Sequence, residues 1–92
     1  MEKARAHIFV EGRVQGVFYR SFTRGVAMRL GLGGWVKNLY DGRVEAIFEG
    51  GRAGIEQAVL ECRKGPPGSR VDDIDLAWEE YSGREEGFEI RY

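Results

Sequence analysis

Ninety-two residues are one domain's worth of chain and leave no room for a second lobe, so residues 1–92 are read as a single domain. Fourteen basic against fifteen acidic side chains give a net charge of -1, which excludes a global field that gathers nucleic acid; any anion site must be local. One cysteine, Cys62, and one histidine, His7, far apart in sequence, exclude an internal disulfide and any His/Cys metal spacing.

The opening residues Glu2, Lys3 and Arg5 are charged, and no apolar run approaches the roughly 18 residues of a membrane span. The expectation is a cytoplasmic chain, monomeric at this size. From Ala6 to Glu11 the chain alternates, with Ile8 and Val10 facing one way and His7, Phe9 and Glu11 the other, as in a half-buried strand. The turn Gly12-Arg13-Val14-Gln15-Gly16 follows. Phe18, Phe22, Val26 and Leu30 then recur at helical spacing and predict an amphipathic helix from about Ser21 to Leu30, ended by Gly31, Gly33 and Gly34.

Trp35 to Leu39 reads as a second strand. Asp41-Gly42 is a two-residue hairpin signal that joins it to a third, with Val44, Ala46 and Phe48 on one face. Ile55, Ala58, Val59 and Cys62 mark a second amphipathic helix, stopped by Gly65-Pro66-Pro67-Gly68. Val71 to Tyr81 forms a fourth strand, with Ile74, Leu76 and Trp78 on one face, and Phe88 and Ile90 alternate in a short closing strand. The order βαββαβ, with a short terminal strand, predicts an α+β, ferredoxin-like α/β sandwich: an antiparallel sheet with two helices on one face. Right-handed crossovers place the first and third strands together at its centre. Phe22, Trp35, Phe48, Trp78 and Phe88 are read as core.

This fold hosts many functions, so the site must decide. Gly12 to Arg20 leaves a strand and enters a helix, where N–H groups converge without partners. Glycines at 12 and 16 permit the positive φ values of a concave nest, and a helix N-terminus adds partial positive charge. Arg20 brings a planar cationic fork that suits two phosphate oxygens. The G-K-[ST] ending of a P-loop is missing, as is a G-x-G-x-x-G fingerprint. Asn38, the chain's only asparagine, sits in a strand, and its neutral amide can both donate to and accept from a water. Plainer readings stay open beside these: a glycine turn before a solvated first-turn arginine, and an asparagine that caps the hairpin.

Gly12-Arg13-Val14-Gln15-Gly16-Val17-Phe18-Tyr19-Arg20 resembles the first signature of the acylphosphatases, and Gly34-Trp35-Val36-Lys37-Asn38 with Asp41-Gly42-Arg43-Val44-Glu45 and Gly50 resembles the second. Gly65 to Val71 is similar to that family's approach to its fourth strand, so the resemblance runs nearly end to end. It implies hydrolysis of the carboxyl–phosphate bond of acyl phosphates, with no metal or other cofactor. It also implies a phosphate cradle from Val14, Gln15, Gly16, Val17, Phe18, Tyr19 and Arg20, with Arg20 as phosphate ligand and Asn38 as the residue that places the water. Inorganic phosphate is then expected as product and inhibitor. The rival expectation is a non-catalytic RNA- or small-ligand-binding module on the same fold, with Phe9, Trp35 and Trp78 as candidate aromatics on an open sheet face. His7 reads as an ordinary strand residue. The acidic pairs Asp72-Asp73, Glu79-Glu80 and Glu85-Glu86 read as solvated strand edges and turns.

Overall fold

A computed structural model describes residues 2–92. Its elements run β1 (Lys3–Arg13), α1 (Tyr19–Arg29), β2 (Gly33–Asn38), β3 (Val44–Gly51), α2 (Arg52–Lys64), β4 (Arg70–Glu79) and β5 (Phe88–Arg91). The sheet order is β4-β1-β3-β2-β5, with β1 and β3 adjacent at the centre as the crossover argument requires. This is the ferredoxin-like arrangement expected.

The core follows from the period-two pattern. Ala4, Ala6, Ile8 and Val10 of β1 are buried on the same face as Val36 of β2 and Val44, Ala46 and Phe48 of β3. The apolar stripes of both helices cover that face: Val26 and Ala27 from α1, and Ile55, Ala58, Val59 and Cys62 from α2. Burial pushes the Cys62 thiol up to about 11, as suits a small packed apolar group rather than a nucleophile.

Several expectations change. The β4–β1–β3–β2 ladders are antiparallel, but β5 joins β2 in parallel, because the chain returns across the sheet end before Phe88. The hairpin loop holds three residues, Tyr40 to Gly42: the Gly42 N–H donates to the Leu39 carbonyl, and the Leu39 N–H to the Arg43 carbonyl. Gly42, at φ 97°, supplies the left-handed residue such a loop needs. Trp78 is 37% exposed on the helix side, opposite Ala6, with the Arg52 guanidinium 4.1 Å from its ring centroid. Trp35 is half-buried on the open face, so only Phe48 and Phe88 of the large aromatics expected in the core lie fully inside it. Phe9 and Trp35 thus share a face from which Trp78 is absent, and the three-aromatic platform of the binding-module reading does not form.

The topology has one consequence for function. β1, β2 and β5 run in the same direction, so Arg13, Asn38 and Arg91 end at one edge of the sheet. The N-terminus of α1, which follows β1, sits at that edge.

Candidate active site

The loop from β1 to α1 is shaped by two left-handed residues. Gly16 has φ 73°, which glycine adopts freely; Phe18 has φ 61° and ψ 28°, a conformation that costs a residue with a Cβ about 1–2 kcal/mol. Strain of this kind collects at ligand clamps. Phe18 therefore lies off the core face its spacing suggested: it is the N-cap residue of α1 and 84% exposed. It supplies no side-chain cap, and the first helical bond runs from the Phe22 N–H to the Phe18 carbonyl. Among the described residues, no main-chain carbonyl pairs with the loop N–H groups of residues 15–18 or the first-turn N–H groups of 19–21. They form a concave set of donors at the positive end of the helix.

Arg20 occupies the first turn, where a cation opposes the helix dipole and an acidic residue would be favoured. Among the described residues no carboxylate lies within ion-pairing distance of it. Its guanidinium lies 4.7 Å from the Tyr92 ring centroid, and Nη1 makes a long 3.4 Å contact to the Arg91 carbonyl oxygen. The end of the chain therefore steers this side chain.

Asn38 closes β2 opposite Val44, on the helix side of the sheet, while Lys37 points to the open face toward Glu45. Asn38 Oδ1 is buried and, among the described residues, is the one such side-chain atom with no protein partner. A cavity of about 230 Å³ brings Asn38 together with Val14, Gly16, Phe18, Tyr19 and Arg20. Ser21, Ile90 and Tyr92 also line it. The alternation that marks Ile90 as a strand residue does not place it or Tyr92 at the site, because that place depends on the parallel pairing of β5 with β2.

Two cradle residues do not line the cavity with their side chains. Val17 packs against the core. Gln15 turns its amide to the hairpin, Nε2 donating to the Leu39 carbonyl at 2.8 Å and the Arg43 carbonyl at 2.9 Å. Tyr19 is 2% exposed, and its hydroxyl donates to the Cys62 carbonyl at 2.7 Å, which ties the start of α1 to α2. Burial, with Cys62 beside it, raises that phenol well above its ordinary range, so Tyr19 is a strut rather than an acid.

A larger cavity of about 560 Å³ opens at the other end of α1, beside Gly31, Glu49 and Glu85. Its lining sets Lys3 and Arg24 against Glu49 and Glu85, and it meets the carbonyl pole of the helix rather than the N–H pole, so it offers no concave set of main-chain donors to an anion. His7 lies on the open face, Nε2 2.6 Å from Glu45 and Nδ1 3.0 Å from Glu79, away from either cavity. Among the described residues no three His, Cys, Asp or Glu side chains gather as a metal site, and no helix is long and apolar enough to cross a membrane.

The sequence model of the family described as Acylphosphatase matches residues 6–90. An acylphosphatase of Roseiflexus sp. (strain RS-1) is 50% identical over 90 residues, covering 98% of this chain and 97% of its own. One from Pyrobaculum aerophilum is 52% identical over 91 residues, covering 98% and 96%. The crystal structure of acylphosphatase from Bacillus subtilis superposes with a TM-score of 0.94 at 38% identity, covering 97% of this chain and 99% of that one.

Proposed function

Because the chain belongs to the acylphosphatase family of hydrolases, we propose that Arg20 and the main-chain N–H groups of the Val14–Arg20 loop hold the phosphate of an acyl phosphate while Asn38 directs water at phosphorus. What supports this most is a single juxtaposition: Asn38, whose buried Oδ1 has no partner among the described residues, lines one cavity with Arg20 and the open end of α1.

The chemistry asks little more of the protein. An acyl phosphate is a mixed anhydride whose carboxylate leaves readily, so no side chain need protonate it. Among the described residues no Asp, Glu or His side chain lines the cavity. Catalysis then rests on positioning and electrostatics, as in other phosphoryl transfers. A water donates one hydrogen to Asn38 Oδ1, which aims its lone pair along the line of the breaking bond. The water oxygen bonds to phosphorus, the bond to the acyl oxygen breaks, and the carboxylate departs with that electron pair. The proton passes to a phosphate oxygen in a metal-free, substrate-assisted step. Arg20 and the loop donors stabilise the phosphoryl oxygens throughout.

Spectrophotometric hydrolysis of benzoyl phosphate with a chelator present, beside a phosphomonoester control, tests the reading. The expected outcome is turnover of the first and not the second. Equal turnover of both, or of neither, removes it.

A further inference from the structure

The cradle and the hairpin belong to different parts of the chain, and one side chain joins them. Gln15 lies in the loop that leaves β1. Its Nε2 donates across 24 residues to the Leu39 carbonyl at 2.8 Å and across 28 to the Arg43 carbonyl at 2.9 Å. Leu39 directly follows Asn38, and Arg43 directly precedes Val44, the residue paired with Asn38 across the ladder. The two carbonyls therefore bracket the Asn38–Val44 pair on its loop side. Neither is an orphan: the Leu39 carbonyl already accepts from the Gly42 N–H and the Arg43 carbonyl from the Leu39 N–H, so Gln15 fills second lone pairs that closing the hairpin does not require.

We infer that the Gln15 side chain is a positioning residue that fixes the distance between the phosphate cradle and Asn38. The inference rests on the reading of Asn38 as the residue that places the water. Gln15 sits next to Gly16, so its main chain moves with the cradle while its carboxamide moves with the hairpin. The planar peptide that joins Asn38 to Leu39 contains the Leu39 N–H, which donates to the Arg43 carbonyl that Gln15 also holds, so a displaced Arg43 carbonyl carries the Asn38 backbone with it. An error of about 1 Å in a reacting geometry costs on the order of 10²-fold in rate while leaving ground-state contacts in place. The role acts through Asn38 and touches neither substrate nor water.

A double-mutant cycle with Asn38→Ala separates this role from plain stabilisation. Gln15→Met keeps the length and removes both donors. In the wild-type background it is expected to lower kcat for benzoyl phosphate about tenfold or more, with the inhibition constant of inorganic phosphate changed less than about threefold. In the Asn38→Ala background the same change is expected to lower kcat less than about twofold, because the geometry it maintains is no longer used. Equal losses in both backgrounds, or a parallel loss of phosphate inhibition, overturn the inference and leave the Asn38 reading standing. Near-normal turnover by Asn38→Ala alone overturns that reading and this inference with it. A measurement on the unmutated protein stands apart from folding of the variants: through-hydrogen-bond couplings from the Gln15 side-chain nitrogen to the Leu39 and Arg43 carbonyl carbons support the link, and their absence refutes it.

Discussion

The Arg20 guanidinium lies 4.7 Å from the centroid of the Tyr92 ring, with Nη1 3.4 Å from the carbonyl oxygen of Arg91. Stacking of a planar cation on an aromatic face leaves its edge N–H groups free to point at a ligand. A lysine keeps the charge but cannot stack and fork at once. Arg20→Ala removes two charge-assisted hydrogen bonds of about 1.5–3 kcal/mol each, so competitive inhibition by phosphate is expected to weaken about 10²–10⁴-fold. For Arg20→Lys the expected weakening is roughly 10–100-fold. A lysine variant with wild-type inhibition in the same steady-state assay would show that charge alone suffices.

Asn38 predicts the opposite pattern. Asn38 lines the cavity from the end of β2, whereas the cradle lines it from the loop before α1. Asn38→Ala is therefore expected to lower kcat on the order of 10²–10³-fold, the usual loss for one preorganised group. The phosphate inhibition constant should stay near wild type. Retained turnover of benzoyl phosphate would rule out the water-placing role.

These two residues are legible from their local setting. Arg20 follows a glycine turn that leaves a strand for a helix, and Asn38 sits in a strand, where asparagine is disfavoured. The alternation of Ile8 and Val10, and the stripe Ile55, Ala58, Val59 and Cys62, were legible because one face of each element meets the core. Phe18 was misplaced on the core face since spacing alone cannot separate the N-cap from the first turn, and its left-handed backbone turns the ring to solvent. The place of Ile90 and Tyr92 in the cavity wall is not legible in the sequence for a different reason. Their neighbours come from a parallel pairing between segments about 54 residues apart (Val36 with Ile90), and nothing local encodes it. The Gln15 link is equally non-local.

Gly34 tests how the sheet that carries Asn38 is built. It has φ 138°, and a Cβ there would fall well inside the van der Waals envelope of the Ile47 carbonyl oxygen, with Phe88 also close. Both the backbone angle and the space call for glycine. Total stability for a domain of this length is on the order of 5–14 kcal/mol. Gly34→Ala is expected to remove at least about 3 kcal/mol of it, read as a lower denaturant midpoint. Gly16→Ala, where no atom lies within 4 Å of the added Cβ, should be milder. Equal losses at the two sites would mean that backbone angle, not crowding, sets both.

Glu49 gives the acid side of the stability curve. It is 3% exposed on β3, and its carboxylate accepts from Arg5 Nη1 at 2.9 Å, from the Ser82 N–H and hydroxyl at 2.8 Å each, and from the Gly83 N–H at 3.2 Å. Burial by itself pushes the carboxyl up, but Arg5 and the Ser82 donors together outweigh it and hold the group below its ordinary value of 4.5. Glu79, beside His7 and Arg5, is also held down. A carboxyl depressed by folding contributes stability above its unfolded pKa and loses it as pH falls through the folded one. Urea unfolding followed from pH 7 to pH 3 should therefore show stability falling below about pH 4.5, by up to about 1.4 kcal/mol per pH unit for each proton taken up. Glu49→Gln turns an amide N–H toward donors that need an acceptor, so about 1–3 kcal/mol should be lost at pH 7. The variant's acid slope should also be shallower, though not flat, because Glu79 still titrates. An unchanged slope would mean that the Arg5–Glu49–Ser82 cluster is not what ties the loop after β4 to the sheet as protons are added.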